Sequence, residues 1–420
     1  MKRRNFLSTL TAAGLITALK PAMAYAAPPV SRISKQDLYD ILQITEVPGI
    51  AISGIVRGRP VQQVEGLRVN RAQRSGGRES AGGDVAGSPI ELTTYFPAAS
   101  LTKPLFAWAV LDLIRQGKLE LRKPLQEYMD LGLTGEAKRI TAQFALTHTT
   151  GLPNWRFQPD TPLTAAFMSG SRWQYSGEGI FLLQRVVEKI VGVPIGAYMK
   201  EKVLKPLGMT SSTFAWSPEL QARAVSGHDR RASLLERSSA FYEKRNYDAI
   251  TKAGLQPESS TYEQIVEAYK KSSATPLPIG MSPNMAGSLW TTPLDYPKFL
   301  KAVLSDIPRH PEDYLIQSRI NPEIGWSLGW GVDETFGPPR EDEVKEGQRW
   351  RADQTFRWPG ILRRQAWFHW GDGPGFKNFC WIQPDTQTAL VIFTNGDHGQ
   401  AIYSWVFRKL VGDAASLSWI

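Results

Sequence analysis

Strand-like segments sit at both ends of this chain and helical periodicity fills the middle, an arrangement that few folds accommodate. Residues 49–56 and 61–64 read as two short strands joined by the Arg57-Gly58-Arg59-Pro60 turn. Strand character returns near the C-terminus, over residues 327–332, 365–369, 378–382 and 388–393. Between these ends, residues 105–115 carry an apolar helical face that stops at Gly117, and residues 180–191 carry another that stops at Gly192. Residues 195–203 form a third helix, a fourth starts at Thr292 and runs through Phe299 to Leu304, and a last one covers 401–410. Strands at both termini with helices between them predict an α/β sheet domain completed by both chain ends, plus an inserted, mainly helical domain.

The remaining features bound the class of protein. At 420 residues, 42% hydrophobic and 21% charged, the chain can bury a large core as one big catalytic domain or two medium ones. Net charge is +9, but Lys2, Arg3, Arg4 and Lys20 lie in an opening stretch that has no acid. Elsewhere bases and acids interleave, as in Arg340-Glu341-Asp342-Glu343-Val344-Lys345-Glu346, so no basic stripe suits nucleic acid. Residues 1–26 read as a targeting segment: a charged start, a short apolar run over 10–19, then Ala22-Met23-Ala24 and Ala24-Tyr25-Ala26, either of which fits an A-x-A cleavage site. The paired arginines followed by Asn5-Phe6-Leu7 resemble a bacterial twin-arginine export signal, which implies a periplasmic or secreted product. The apolar run is too short for a bilayer span, and no later stretch is apolar enough for one. Cys380 is the only cysteine, sits in the apolar run Phe379-Cys380-Trp381-Ile382, and reads as a core thiol. Residues 75–88 are Gly-, Ser- and Arg-rich and predict a surface loop, while 227–275 is a polar, charge-mixed insertion, helical over Tyr262–Lys271.

Chemistry enters at Ser100-Leu101-Thr102-Lys103, the one Ser-x-x-Lys of the sequence, where a strand-like run meets a helix. A serine at the head of a helix and a lysine one turn later share a helical face, and a lysine held neutral by burial can take the serine's proton. The plainer reading is a helix cap followed by a solvated lysine. Tyr175, in Trp173-Gln174-Tyr175-Ser176-Gly177-Glu178-Gly179, lies on a glycine-containing turn before a helix, where its phenol can enter a cleft. Beside an ammonium such a phenol has a lowered pKa and serves as a base or proton relay. His369-Trp370-Gly371-Asp372 ends a strand, and a glycine there lets a substrate backbone lie close while the next N–H faces a developing oxyanion. His148, in Leu146-Thr147-His148-Thr149-Thr150-Gly151-Leu152, has no triad acid nearby in sequence and reads as structural. Five histidines without H-E-x-x-H, no cysteine cluster and no phosphate-cradling loop imply neither metal nor other cofactor.

Together these motifs resemble the serine penicillin-recognising enzymes, specifically the class C β-lactamase-like family of β-lactamases, D-Ala-D-Ala carboxypeptidases, D-aminopeptidases and esterases. The resemblance runs in order from Pro97-Ala98-Ala99-Ser100-Leu101-Thr102-Lys103 through His148-Thr149-Thr150-Gly151-Leu152-Pro153 and Tyr175-Ser176-Gly177. It continues through 286–292, Leu328-Gly329-Trp330-Gly331, His369-Trp370-Gly371 and Thr394-Asn395-Gly396. It implies a β-lactamase/transpeptidase-like fold, an antiparallel sheet flanked by helices. The implied division is a hydrolase domain over 27–420, with a sheet part from 27–98 and 280–420 and a helical part over 99–279. It further implies acylation of Ser100, a base shared by Lys103 and Tyr175, and an oxyanion hole from the Ser100 and Asp372 N–H groups beside Gly371. Which of Lys103 and Tyr175 is neutral at rest stays open in the sequence.

Two departures bear on the substrate, expected to be a small-molecule or peptide-like acyl compound. Gly177 stands where the family's Tyr-x-Asn motif supplies an amide to the substrate, and His369 stands where β-lactamases carry the Lys of Lys-Thr-Gly. A neutral imidazole in place of a fixed cation suits substrates without a carboxylate near the scissile bond. Both changes favour an esterase or amidase over an efficient β-lactamase or D-Ala-D-Ala carboxypeptidase, and Arg363, Arg364 or Lys377 are the residues able to restore positive charge. A non-catalytic penicillin-binding or sensor protein is the reading from another class. Trp155, Trp173, Trp290 and Trp370 lie beside the motifs, either lining an acyl pocket or packing the core.

Overall fold

Alternation along three central strands sets the layers of the molecule. The computed structural model describes residues 32–69, 87–158, 161–235, 238–272, 277–334 and 365–412. The calls on residues 1–26, on most of the 75–88 loop and on Arg363 and Arg364 lie outside them. Strands β1 (Gly49–Val56) and β2 (Arg59–Gly66) form a hairpin. The two-residue β3 (Phe96–Pro97) pairs with β4 (Trp290–Thr291) in a small separate sheet. The C-terminal part supplies β5 (Ser318–Arg319), β6 (Ile324–Trp326), β7 (Gly331–Asp333), β8 (Ala366–Gly373), β9 (Phe376–Gln383) and β10 (Thr388–Thr394). The large sheet runs β2-β1-β10-β9-β8-β7-β6-β5, antiparallel throughout, and β1 closes on β10 with Ile50 opposite Thr394.

Side chains of one parity face one helical layer and the rest face the other. Ile50, Ile52, Phe379, Trp381, Leu390 and Ile392 pack with α1 (Lys35–Thr45) and α10 (Gln400–Leu410). Ala51, Cys380, Ile382, Val391 and Phe393 pack instead with α2 (Thr102–Arg115) and α9 (Tyr296–Asp306). Each such apolar side chain contributes roughly 1.5–3 kcal/mol on full burial, so the two-sided pattern fixes the register of the central strands. Behind α2 lie α3 (Ala142–Leu146), α4 (Gly177–Val191) and α5 (Ile195–Met199). The short α6 (Pro218–Gln221) precedes the insertion, whose α7 (Ser239–Lys252) and α8 (Tyr262–Lys271) pack through Ile250, Ile265 and Tyr269 against Phe181 of α4.

Two elements differ from the sequence reading. Of the strand expected over 327–332, residues 327–330 are a hairpin turn between β6 and β7, closed by the Ser327 N–H donating to Trp330 O at 2.8 Å, and only 331–332 are strand, the start of β7. Gly329 sits there at φ +88°, a conformation that ends a strand and that only glycine adopts freely. The helix expected from Thr292 begins at Tyr296: the Thr292 hydroxyl accepts from the Asp295 N–H and its carbonyl from both the Asp295 and Tyr296 N–H groups, a turn that leads into the helix.

Cys380 is buried and its thiol is pushed up to about 12 by desolvation. Native protein at pH 8 should therefore leave an aromatic disulfide reagent unreacted for hours, and release one equivalent of chromophore on denaturation. Fast reaction of the native protein would place that strand outside the core.

Candidate active site

The segment carrying Ser100 is pinned before it turns. Ala98 N–H donates to Leu289 O at 2.8 Å, and Pro97 O accepts from Asn378 Nδ2 of β9 at 2.9 Å. Ala99 then takes φ +47°, a left-handed conformation that costs a residue with a side chain roughly 1–3 kcal/mol. Surrounding bonds hold it there. Thr102 Oγ1 donates to Ala99 O at 2.6 Å and accepts from Leu289 N–H at 3.0 Å, while the Tyr296 hydroxyl donates to Leu101 O at 2.9 Å. Ser100 emerges half-buried in a 3-10 turn at the head of α2.

Lys103 lies one turn on and is almost wholly buried, at 1% exposure. Its Nζ is 2.9 Å from Ser100 Oγ and 2.6 Å from Ala286 O. Removal from water lowers its pKa from 10.5 to about 7. Above that pH the amine keeps an N–H on Ala286 O and offers its lone pair to the Ser100 hydroxyl. Ala286 is a contributor that the sequence reading placed only inside a motif, since a carbonyl leaves no trace in residue identity.

Tyr175 packs 4.2 Å, ring to ring, from His148, and the Lys103 ammonium position lies 4.8 Å from the phenol ring centre. The Tyr175 hydroxyl is buried without a hydrogen bond of its own, although Ser100 is near enough to favour its ionised form slightly. Burial dominates and pushes the phenol above its ordinary pKa, assisted by the charge of Asp372. The lowered pKa expected from an adjacent ammonium is therefore reversed: desolvation outweighs it, and Lys103 itself is easily discharged. His148 Nδ1 accepts the Ser176 N–H at 3.1 Å, which holds the Tyr175 turn, and burial keeps this imidazole neutral.

His369 is buried on β8. Its Nδ1 lies 2.7 Å from Trp370 O, an oxygen that can only accept, so Nδ1 carries the proton and Nε2 presents a lone pair. Nε2 has no partner, and desolvation, reinforced by Lys103, pulls the imidazole down to about 3. Beyond Phe368, among the described residues, β8 pairs with β9 on one side, while its other side meets the Ser100 turn. Gly371 allows that approach, because a Cβ there would overlap the Ala98 carbonyl oxygen. Asp372 is ion-paired with Lys377 across the hairpin, and Lys377 also reaches Asp397 at 3.3 Å. Lys377 is thus committed to two carboxylates and does not supply the free cation considered for it.

The tryptophans divide. Trp370 stacks on Tyr175 at 6.3 Å and Trp173 lies 6.3 Å from it, whereas Trp290 is buried in a separate cluster and donates to Glu243 of α7. Trp326, which no motif contained, sits 5.5 Å from His369 and 5.0 Å from His148. Among the described residues no group of three His, Cys, Asp or Glu side chains is arranged to hold a metal ion, and no helix is long and apolar enough to cross a membrane.

With this geometry in place, comparison with known proteins gives a consistent result. A family model described as Beta-lactamase matches residues 39–412. Esterase EstB of Burkholderia gladioli is 33% identical over 177 residues, which cover 34% of this chain and 44% of that one. The D-alanyl-D-alanine-carboxypeptidase/endopeptidase AmpH of Escherichia coli K12 is 28% identical over 39% of this chain and 47% of its own length. The chain thus spans about half the length of the curated relatives it matches. A solved class C β-lactamase superposes with a TM-score of 0.62 at 15% identity, over 90% of this chain and 95% of that one. The fold is β-lactamase/transpeptidase-like, an antiparallel sheet flanked by helices.

The buried lysine has a thermodynamic signature. Its folded pKa of about 7 lies below the unfolded value, so between those values the unfolded chain holds one proton more and stability rises with pH. Relative to Lys103→Met, wild type should gain about 1.4 kcal/mol per pH unit between pH 8 and 9.5 in denaturant titrations. A pH-independent difference would mean that Lys103 is charged in the folded protein.

Proposed function

The chain belongs to the beta-lactamase family, and from that premise we propose that it is an exported serine hydrolase that opens an ester or amide through an acyl-enzyme on Ser100. The observation that carries this is the 2.9 Å contact between Ser100 Oγ and an amine whose pKa burial has brought to about 7. Neutral Lys103 takes the hydroxyl proton as Oγ bonds to the substrate's carbonyl carbon. The oxyanion that forms is met by the Ser100 and Asp372 N–H groups. Collapse breaks the bond to the leaving group, which receives the proton through the Lys103–Tyr175 pair, Tyr175 being a neutral phenol at the start. Water then repeats the sequence on the acyl-enzyme, returning Ser100 and releasing the acid.

Three features support an esterase-like preference over efficient β-lactam or D-Ala-D-Ala turnover. His369 offers an acceptor lone pair where a carboxylate-bearing substrate needs a cation. Lys377 is tied to Asp372 and Asp397, and Gly177 presents no amide. EstB, an esterase by name, points the same way, and AmpH marks carboxypeptidase chemistry as the competing outcome. The 1–26 segment, cleaved after Ala24 or Ala26, would deliver the 27–420 hydrolase domain to the periplasm or medium.

Rates on a chromogenic cephalosporin, a short-chain p-nitrophenyl ester and a D-Ala-D-Ala peptide test the assignment. The ester should turn over fastest, and Ser100→Ala should abolish both turnover and the single adduct formed with a fluorophosphonate. Faster β-lactam turnover would overturn the ester preference, and an adduct that never deacylates would mark a sensor. Because Lys103 must lose its proton first, kcat/KM should rise about tenfold per unit below pH 7 and level off above it. A profile flat from pH 5 to 8 would remove Lys103 from the base role.

A further inference from the structure

Helix α3 ends on a residue that its turn does not favour. The Thr149 N–H donates to Phe144 O at 2.9 Å and the His148 N–H to Ala145 O at 3.3 Å, the paired bonds that cap a helix through a left-handed residue. Glycine is the usual occupant of that position, because it has no side chain to strain. Here it is His148, at φ +54° and 1% exposed. Such a conformation persists only where the surroundings hold it, and what His148 meets is the Tyr175 turn. Its carbonyl accepts the Gln174 N–H at 2.7 Å and its Nδ1 accepts the Ser176 N–H at 3.1 Å, so one residue grips the chain on both sides of Tyr175. Its ring lies 4.2 Å from the phenol ring at a tilt of 33°, whereas Trp173, Trp326, His369 and Trp370 stand 6.2–6.3 Å from it. The phenol hydroxyl makes no hydrogen bond of its own, so backbone and ring contacts set its place, and His148 supplies both.

We propose that His148 is the positioning residue of Tyr175, holding the phenol where its proton can reach the departing group. This rests on the acyl-enzyme reading above, in which the leaving group is protonated through the Lys103–Tyr175 pair, and deepens it. As the bond to the leaving oxygen breaks, the Tyr175 proton passes to that oxygen, and the Lys103 ammonium, which took the Ser100 proton, returns one to the phenol. A phenol released from the His148 grip still has its hydroxyl but loses its aim. The loss falls on substrates whose leaving group needs a proton and spares those whose leaving group departs as a stable anion.

The test compares kcat/KM for p-nitrophenyl butyrate with that for phenyl butyrate, esters of one acid that differ in how well the anion leaves. Taking the ratio within each protein cancels the intrinsic reactivities of the two esters across variants. His148→Gly suits the left-handed turn while removing the ring and Nδ1, and should raise the p-nitrophenyl-to-phenyl ratio at least fivefold. His148→Asn retains an acceptor for the Ser176 N–H and tolerates positive φ, and should keep the ratio within threefold of wild type. Tyr175→Phe should raise the ratio as His148→Gly does, and adding His148→Gly to it should change the ratio less than twofold. An unchanged ratio in His148→Gly, or a further fivefold rise on top of Tyr175→Phe, overturns the proposal. So does a His148→Gly protein that no longer takes up one fluorophosphonate on Ser100, which would mark a residue that the fold itself needs. Absence of any adduct in wild type, or a Tyr175→Phe ratio equal to that of wild type, strikes the acyl-enzyme reading itself, so the two failures are told apart.

Discussion

An amine that has lost its water is the interaction around which this site is arranged. Lys103 is buried at the base of the Ser100 turn, and desolvation rather than any neighbouring charge brings its pKa to about 7. Everything close to it is compatible with a neutral group: the Ala286 carbonyl, the Ser100 hydroxyl, the face of Tyr175 and two imidazoles kept uncharged. A carboxylate in that company would restore the ammonium and end the use as a base proposed for it. Asp372, the acid whose charge reaches Tyr175, is instead engaged by Lys377 at the exposed end of the β8–β9 hairpin.

The same desolvation sets the character of the substrate face. A buried imidazole is uncharged, and which of its nitrogens bears the proton is decided by the group that faces it. Trp370 O accepts a hydrogen bond from the Nδ1–H of His369, so the buried Nε2 is left with an unpaired lone pair. The proposed preference for uncharged acyl compounds therefore follows from one backbone carbonyl as much as from the replacement of a lysine.

Much of this was legible in the sequence because it rests on spacing. Ser100 and Lys103 share a helical face by arithmetic, and the alternation in β9 and β10 announces a sheet buried on both sides. The failures have equally definite causes. A phenol beside a lysine was expected to acidify, but burial acts on both groups and its sign for a phenol is upward. Residues 327–332 are apolar enough for a strand, yet Gly329 turns the chain back within them. Trp326 reaches His369 and His148 from β6, and nothing in an isolated tryptophan says which neighbour it will meet. Among the tryptophans flagged beside motifs, Trp290 went to the core while Trp370 went to Tyr175.

The antiparallel closure of β1 on β10 has a consequence for when the site exists. Ile50 meets Thr394 only after β2 to β9 have been made, so the contacts that complete the sheet are among the most distant in sequence between the described residues. The Ser100 turn takes its left-handed residue and its rigid seat partly from Asn378 and from the approach of Gly371, both on strands far along the chain from it. A growing chain has Ser100 and Lys103 early, but not the burial that discharges the amine. The burial that the proposed chemistry needs comes with the topology, and a chain interrupted before β9 would carry an ordinary serine and an ordinary lysine.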